Sequence, residues 1–156
     1  MAKRCKKDTM HVKGFARVQL VDADTGRIIG DSGWHRNQVV NDGFAQYVCG
    51  SIGAIAGSKQ VAYMAIGTGT APNATSTSLH GETGVRVTTS NSCIDSKTLQ
   101  CTCQFAGSDM GGTCTIQNVA LCNTNSGGTI LCGVTYTTSQ WASNQNVNAT
   151  YQLRFS

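Results

Sequence analysis

The chain has 156 residues, which is enough for one domain with its own hydrophobic core. Hydrophobic residues make up 40% of it and charged residues only 13%, about half the charged share of an ordinary globular protein, which indicates a β-rich protein with many turns and excludes a helical bundle. No apolar run reaches the ~18–20 residues of a membrane span, and no apolar stretch follows the charged start as in a signal peptide. We therefore expect a product that is made in the cytoplasm and either stays soluble there or leaves by a route other than secretion.

The net charge of +4 belongs to the first thirteen residues, because the basic and acidic residues beyond them are equal in number. We predict a basic, flexible arm over 1–13 and a single folded domain over 14–156. A mobile, solvated terminus is one interpretation of the arm, and contact with an acidic protein surface is the other. Nucleic acid is disfavoured because no aromatic side chains are interleaved with the basic ones. The basic residues of the arm are Lys3, Arg4, Lys6, Lys7 and Lys13.

The stretch 15–33 predicts a β-hairpin. Ala16, Val18 and Leu20 alternate with polar side chains, as in a half-buried strand. The following Asp-Ala-Asp-Thr-Gly has turn chemistry, because aspartate bonds its own backbone and Gly26 tolerates a positive φ.

The apolar period changes over 37–52, which predicts the one substantial helix of the chain. Asn41 or Asp42 can cap its start, and Gly50 and Gly53 can end it. The apolar residues recur at i, i+3, i+4 and i+8, as on one face of about three helical turns; they are Phe44, Tyr47, Val48 and Ile52.

A short apolar strand over 61–66 is followed by Gly-Thr-Gly-Thr at 67–70, which resembles a phosphate-binding loop. Such a loop needs glycines that open a helix, whose backbone amides then meet the phosphate. Here no lysine follows, and no helical period begins for about ten residues. We therefore interpret Gly67 and Gly69 as conformationally permissive turn points at the end of a strand.

The second half of the chain has the pattern of short strands separated by glycine-rich and asparagine-rich turns. In the last of them, alternation predicts an apolar face from Val147 to Phe155, with Gln152 on the other side. The pattern indicates a mainly β protein: an antiparallel, jelly-roll-like β-sandwich with one short helix. The predicted strands span 98–106, 113–123, 129–137 and 147–155.

Eight cysteines are many for this length, yet no Cys-x-x-Cys pair occurs, so we predict no metal site. Buried free thiols and disulfides between neighbouring strands remain the two alternatives. Cys101, Cys103 and Cys132 are expected to point inward. If one bridge forms, we expect it to join Cys101 or Cys103 to Cys93 or Cys114.

No pattern indicates an enzyme or a cofactor. Glu82 is the only glutamate, and the aspartates lie mostly in turns, so a carboxylate pair for acid–base chemistry is not evident. His35 follows a tryptophan and precedes an arginine, without an orienting partner in the sequence. We expect a non-catalytic protein.

Three segments and the closing strand resemble a family of small virion proteins of tailed bacteriophages. The family includes capsid decoration (cement) proteins and modules of tail fibres and baseplates. The resemblance covers about 120 residues from Val18 to Phe155. Where the family often carries glutamate before an Ala-Leu step, this chain has Gln117-Asn118. The matching segments are VQLVDADTGRIIGDSGWHRNQVVNDG, YMAIGTGTAPNATSTSLHGE, TIQNVALCNTNSGGTILCGVTYT and VNATYQLRF.

The resemblance implies a structural role in a virion assembled in the host cytoplasm. The expected function is that of a decoration protein that binds and stabilises the major capsid lattice. Its partners would be the major capsid protein, through the basic arm, and copies of itself in a homo-oligomer, with a trimer as the arrangement considered. The alternative is a tail-fibre or baseplate module with a host-binding or connector role.

Overall fold

Two antiparallel sheets make up most of the computed structural model, which describes residues 9–109 and 112–156. Sheet A has the order β2-β1-β11-β8-β7, with β3 also paired to β1, and sheet B has the order β4-β10-β9-β5-β6. The strands of sheet A are β1 (Val12–Asp22), β2 (Ile28–Asp31), β3 (His35–Arg36), β7 (Ser90–Asp95), β8 (Thr98–Phe105) and β11 (Gln145–Phe155). Those of sheet B are β4 (Gln38–Val39), β5 (Tyr63–Gly67), β6 (Glu82–Thr88), β9 (Cys114–Cys122) and β10 (Ile130–Trp141).

The core lies between the sheets, so the predicted β-sandwich is confirmed. Phe105 of sheet A and Trp141 of sheet B are both buried, with ring centroids 6.1 Å apart in an edge-to-face arrangement. The indole Nε1 of Trp141 donates to the carbonyl oxygen of Gln145 at 2.8 Å, so its polar atom is satisfied inside the core.

The last strand has the predicted inward face. Val147, Ala149, Tyr151 and Leu153 are all buried. Gln152 lies on the outer side as predicted, but only 8% of it is exposed. Its Nε2 donates to Gln100 Oε1 and its Oε1 accepts from Arg154, each at 2.9 Å, so neighbouring side chains cover it.

The first hairpin forms as predicted around Gly26, whose φ is +70°. The Asp22 carboxylate accepts hydrogen bonds from the backbone N–H and the hydroxyl of Thr25, at 2.8 and 2.6 Å. These bonds favour the charged carboxylate and lower the pKa of Asp22.

The helix forms where predicted, but its predicted buried face is wrong. It consists of a π-helical segment, Gly43–Cys49, followed by one α-helical turn, Gly50–Ile52; together they are helix α1. A π-turn closes at i+5, so its period is longer than the 3.6 residues on which the prediction rested. As a result Tyr47 is buried, whereas Phe44 and Ile52 are exposed. Gly50 lies inside the helix, which ends at Gly53.

The boundary between arm and domain lies earlier than predicted. Strand β1 begins at Val12, and Lys13 stands opposite Arg154 within sheet A, so Lys13 belongs to the folded domain. The reason is that β11 extends to Phe155 and offers pairing partners for the whole of β1. The other predicted arm residues, Lys3, Arg4, Lys6 and Lys7, lie outside the described residues.

The seven cysteines among the described residues are free thiols, in keeping with the buried-thiol alternative. Cys101, Cys122 and Cys132 have no solvent exposure, and Cys103 is half-buried. Cys49 and Cys93 are exposed, so they do not act as core fillers. Cys5 lies outside the described residues.

Candidate interaction surface

The arm joins the domain at one end of the sandwich, which we call the arm end. His11 N–H donates to the carbonyl oxygen of Ser156 at 2.7 Å, and Ser156 N–H donates back to His11 at 3.0 Å. Val12 then stands opposite Phe155 in sheet A. Residues 1–8 therefore precede a fixed point beside the last residues of β11.

An open apolar groove of about 390 Å³ lies at the same end. It is bounded by both sheets and by α1, and we call it the end groove. Lys59 lines it and donates from Nζ to Thr129 Oγ1 at 3.1 Å. The apolar side chains that line it include Ile52, Val61, Leu99, Leu131, Leu153 and Phe155.

Exposed apolar side chains continue from the groove onto α1 and the turn after it. Ile52 is 75% exposed although it also lines the groove. Ile55 is 61% and Phe44 41% exposed. A concentration of large apolar side chains at a surface is typical of a contact with another molecule.

The two ends of sheet A differ in charge within the described residues. The arm end carries Lys13, Lys97 and Arg154 against Asp95, and the opposite end carries Asp22, Asp24 and Asp109 against Arg27. Because Lys13 stands directly opposite Arg154, two like charges lie side by side at the arm end. This end therefore presents positive charge next to an apolar groove.

Arg154 is held in place on the outer side of sheet A. Its guanidinium lies 4.8 Å from the centroid of the Phe15 ring, a cation–π contact. It also donates to Gln152 Oε1 at 2.9 Å. The pKa of the nearby Asp95 is lowered, first by hydrogen bonds from Lys97 and Thr98 and then by the charge of Arg154.

Between its charged residues, which include Arg17, Asp31 and Arg154, the outer face of sheet A has an uncharged polar area. The strand register places Gln19, Asn148 and Gln104 in one row, and Gln104 Nε2 donates to Asn148 Oδ1 at 2.8 Å. Thr150 and Thr102 are paired in the next row. The alternating sequence predicts that these side chains point outward, but their alignment in rows depends on which strands become neighbours.

Gly67 and Gly69 are needed for close packing, and the prediction that they supply turn conformations is wrong. Neither has a positive φ. A Cβ on Gly67 would lie 2.6 Å from the carbonyl oxygen of Gly81, and one on Gly69 would lie 2.2 Å from that of His80. The polar loop after β5 thus folds back against residues 80–81, with no room for side chains between them.

Gln117 and Asn118 hold this loop in place. Asn118 is fully buried, and its Nδ2 donates to the carbonyl oxygens of Thr70 and His80, at 3.2 and 2.8 Å. Gln117 Nε2 donates to the carbonyl oxygen of Thr68 at 2.7 Å. A carboxylate could not donate these hydrogen bonds, so the contacts require amides at both positions.

The residues considered for catalysis remain apart. His35 Nε2 lies 2.8 Å from the carbonyl oxygen of Ser32, and Asp31 forms an ion pair with Arg17 that holds the pKa of Asp31 well below its usual range.

Within residues 9–109 and 112–156, no three histidine, cysteine or acidic side chains are grouped as a metal site would require. No helix in that part of the chain is long and apolar enough to cross a membrane.

Comparisons of the chain with protein-family models, with curated proteins and with solved structures found no match.

Proposed function

We propose that this chain is a structural protein of a bacteriophage virion, a decoration protein that binds and stabilises the major capsid lattice. The observation that carries the proposal is the arm end, where a basic segment joins a rigid β-sandwich beside an exposed apolar groove. The family resemblance of the sequence supplies the class of partner.

The physical argument combines two kinds of contact. Burying the apolar side chains of the end groove would contribute about 25 cal/mol for each Å² removed from water. The basic arm would be attracted to an acidic lattice surface. Apolar burial gives such a contact its strength, and the opposite charges give it orientation.

A second candidate function is that of a tail-fibre or baseplate module. The uncharged polar area on the outer face of sheet A supports it, because its amide and hydroxyl groups suit hydrogen bonding to a polar receptor or connector. Copy number distinguishes the two candidates. Quantitative mass spectrometry of purified particles should find hundreds of copies for a capsid coat and a dozen or fewer for an appendage. Absence from the particles would contradict both.

Removing the arm charges should weaken binding to the capsid without unfolding the domain. We expect the quadruple variant Lys3→Ala, Arg4→Ala, Lys6→Ala, Lys7→Ala to bind particles that lack the protein roughly tenfold more weakly at low salt. The difference should shrink as salt rises, since salt screens exposed charges. Sedimentation with particles measures binding, and thermal unfolding measures stability.

Arg27→Ala is the matched control, because it removes a basic side chain at the opposite end of sheet A. Ile52→Ser tests the groove separately and should weaken binding at every salt concentration. Wild-type affinity for both the quadruple variant and Ile52→Ser would exclude the arm end as the contact.

A further inference from the structure

Each sheet of the sandwich ends in two edge strands, and an edge strand offers unpaired backbone N–H and C=O groups to other chains. Proteins usually protect such edges with charge, irregular pairing or short length. Among the described residues, the edges are formed by β2, with β3 beside it, and β7 in sheet A, and by β4 and β6 in sheet B.

Three of these edges are protected. Strand β2 has four residues, an irregular register against β1, and Asp31 in an ion pair with Arg17. Strand β4 has two residues. Strand β6 carries the Glu82–Arg86 ion pair and an irregular register against β5.

Strand β7 is the least protected of the four, because its one charged residue and its one register shift both lie at its end. All six residues of Ser90–Asp95 are exposed. Residues 88–94 carry no charge, and the only charged side chain of the strand is Asp95 at its end. The pairing with β8 is regular from Ser90 to Cys93 and shifts only after Cys93.

The strand is also held in place before any partner arrives. Thr89 N–H donates to the carbonyl oxygen of Ala62 at 2.9 Å, and Asn91 Nδ2 donates to that of Val61 at 2.8 Å. Both bonds link this edge of sheet A to the residues that lead into β5 of sheet B. A fixed edge loses little conformational entropy when a further strand is added.

We propose that β7 is the self-association surface of the protein, and that β7 of a second copy pairs with it antiparallel about a twofold axis. Sheet A then continues from one copy into the other by addition of a strand. The same patch serves both copies, as a twofold interface requires. The outcome is a dimer, in place of the trimer considered from the resemblance.

The charge of the strand favours a second copy as the partner. In an antiparallel pair centred near Cys93, the Asp95 of one copy stands near Asn91 of the other, so the two carboxylates lie at opposite ends of the pair. A parallel pair in register would bring the like charges together, which is destabilising. A strongly charged partner would gain nothing from an uncharged edge.

This inference goes beyond the proposed function and does not depend on it. The edge of β7 runs along the side of the sandwich and reaches the arm end only at Asp95, although Asn91 of the strand also lines the end groove. A dimer through β7 is compatible with either a capsid lattice or a tail appendage. Its test uses the purified chain without particles, so its failure would leave particle binding unaffected.

A pair of matched substitutions tests the proposal. Ile94 on β7 is 49% exposed and Ile28 on β2 is 52% exposed, so lysine is tolerated by the fold equally at both positions. By light scattering we expect a dimer for the wild type and for Ile28→Lys. For Ile94→Lys we expect the dissociation constant of the dimer to rise at least tenfold, because the substitution brings two lysines into one strand pair. Ser92→Lys is the second variant if Ile94→Lys does not fold.

Cross-linking locates the contact. A short bismaleimide adds to two thiols without oxidising them, and it should join two chains through Cys93. We expect the cross-linked dimer in Cys49→Ser and Cys5→Ser variants and its loss in Cys93→Ser. Three results would each overturn the proposal. The first is a monomer at every concentration, and the second is a dimer that neither Ile94→Lys nor Ser92→Lys weakens. The third is cross-linking that persists in Cys93→Ser.

Discussion

Asn118→Asp is expected to lower the free energy of unfolding by about 3–5 kcal/mol at pH 7, the cost of leaving a buried charge without a partner. Asn118 has no solvent exposure, and both hydrogen bonds of its Nδ2 go to backbone carbonyl oxygens. Aspartate would place an oxygen against those of Thr70 and His80 and leave both without a donor. The loss is a large part of the ~5–15 kcal/mol that stabilises a typical domain.

The same variant should be least impaired in acid. Burial disfavours the charged carboxylate, so the pKa of the introduced carboxyl group is raised in the folded state above its ordinary value of about 3.9. Below that ordinary value the carboxyl is protonated in both the folded and the unfolded state, and its effect on stability is smallest. As pH rises, the unfolded state loses its proton first and is stabilised, so the deficit grows.

Urea unfolding of the wild type and the variant at pH 4 and pH 7 measures this difference. Asn148→Asp is the matched control, because Asn148 Oδ1 accepts a hydrogen bond from Gln104 and a carboxylate can still accept it. We expect little change in stability for that variant. Similar small effects at both positions would show that the Asn118 amide does not hold the loop.

Raising the pH from 7 to 10 should lower the free energy of unfolding, and about 4 kcal/mol of the decrease should come from the ionisation of three buried thiols in the unfolded state. Burial raises the pKa of Cys101 and of Cys122 from 9.0 to about 12, and it raises the pKa of Cys132 further. All three have no solvent exposure.

The sign follows from the raised pKa values in the folded state. Below pH 9 the thiols are protonated in both states, and their contribution to stability is complete. At pH 10 an unfolded thiol is mostly ionised while the folded one is not, which stabilises the unfolded state by about 1.4 kcal/mol per thiol. The contribution is lost progressively as pH rises from about 9 towards 12.

Urea unfolding with a non-thiol reductant, at constant ionic strength, checks this dependence. Cys122→Ala should reduce the decrease by about 1.4 kcal/mol, the share of one fully buried thiol. Cys49→Ala should leave it unchanged, since Cys49 is exposed. Stability that is equal at pH 7 and pH 10 would contradict the burial of these thiols.

Local patterns determined most of the long strands and much of the first hairpin, whereas β6 and β7 were not predicted. Strict alternation over 147–155 identified the inward face of β11, because successive side chains of a strand point to opposite sides whatever the neighbouring strands are. The Asp-Thr-Gly turn was equally local, since Asp22, Thr25 and Gly26 need only one another. The fold class followed from the spacing of these elements.

Two predictions were wrong because they assumed a local geometry that the structure does not have. The apolar spacing around Tyr47 was interpreted with an α-helical period, and the π-helical segment turned Phe44 and Ile52 outward. The arm boundary predicted from the basic composition of the first thirteen residues lies too late in the chain, because Lys13 pairs with Arg154 within sheet A and belongs to β1.

By itself the sequence determined the fold class, the alternation of the strands and the basic character of the N-terminal segment, because each follows from residues close together in the chain. Only the tertiary structure decided the roles of Gly67, Gly69 and Asn118, since the atoms that crowd the glycines and accept from the amide lie on other segments. The end groove and the exposed β7 edge arise in the same way, because the tertiary structure decides which strands become neighbours and which strands lie at an edge.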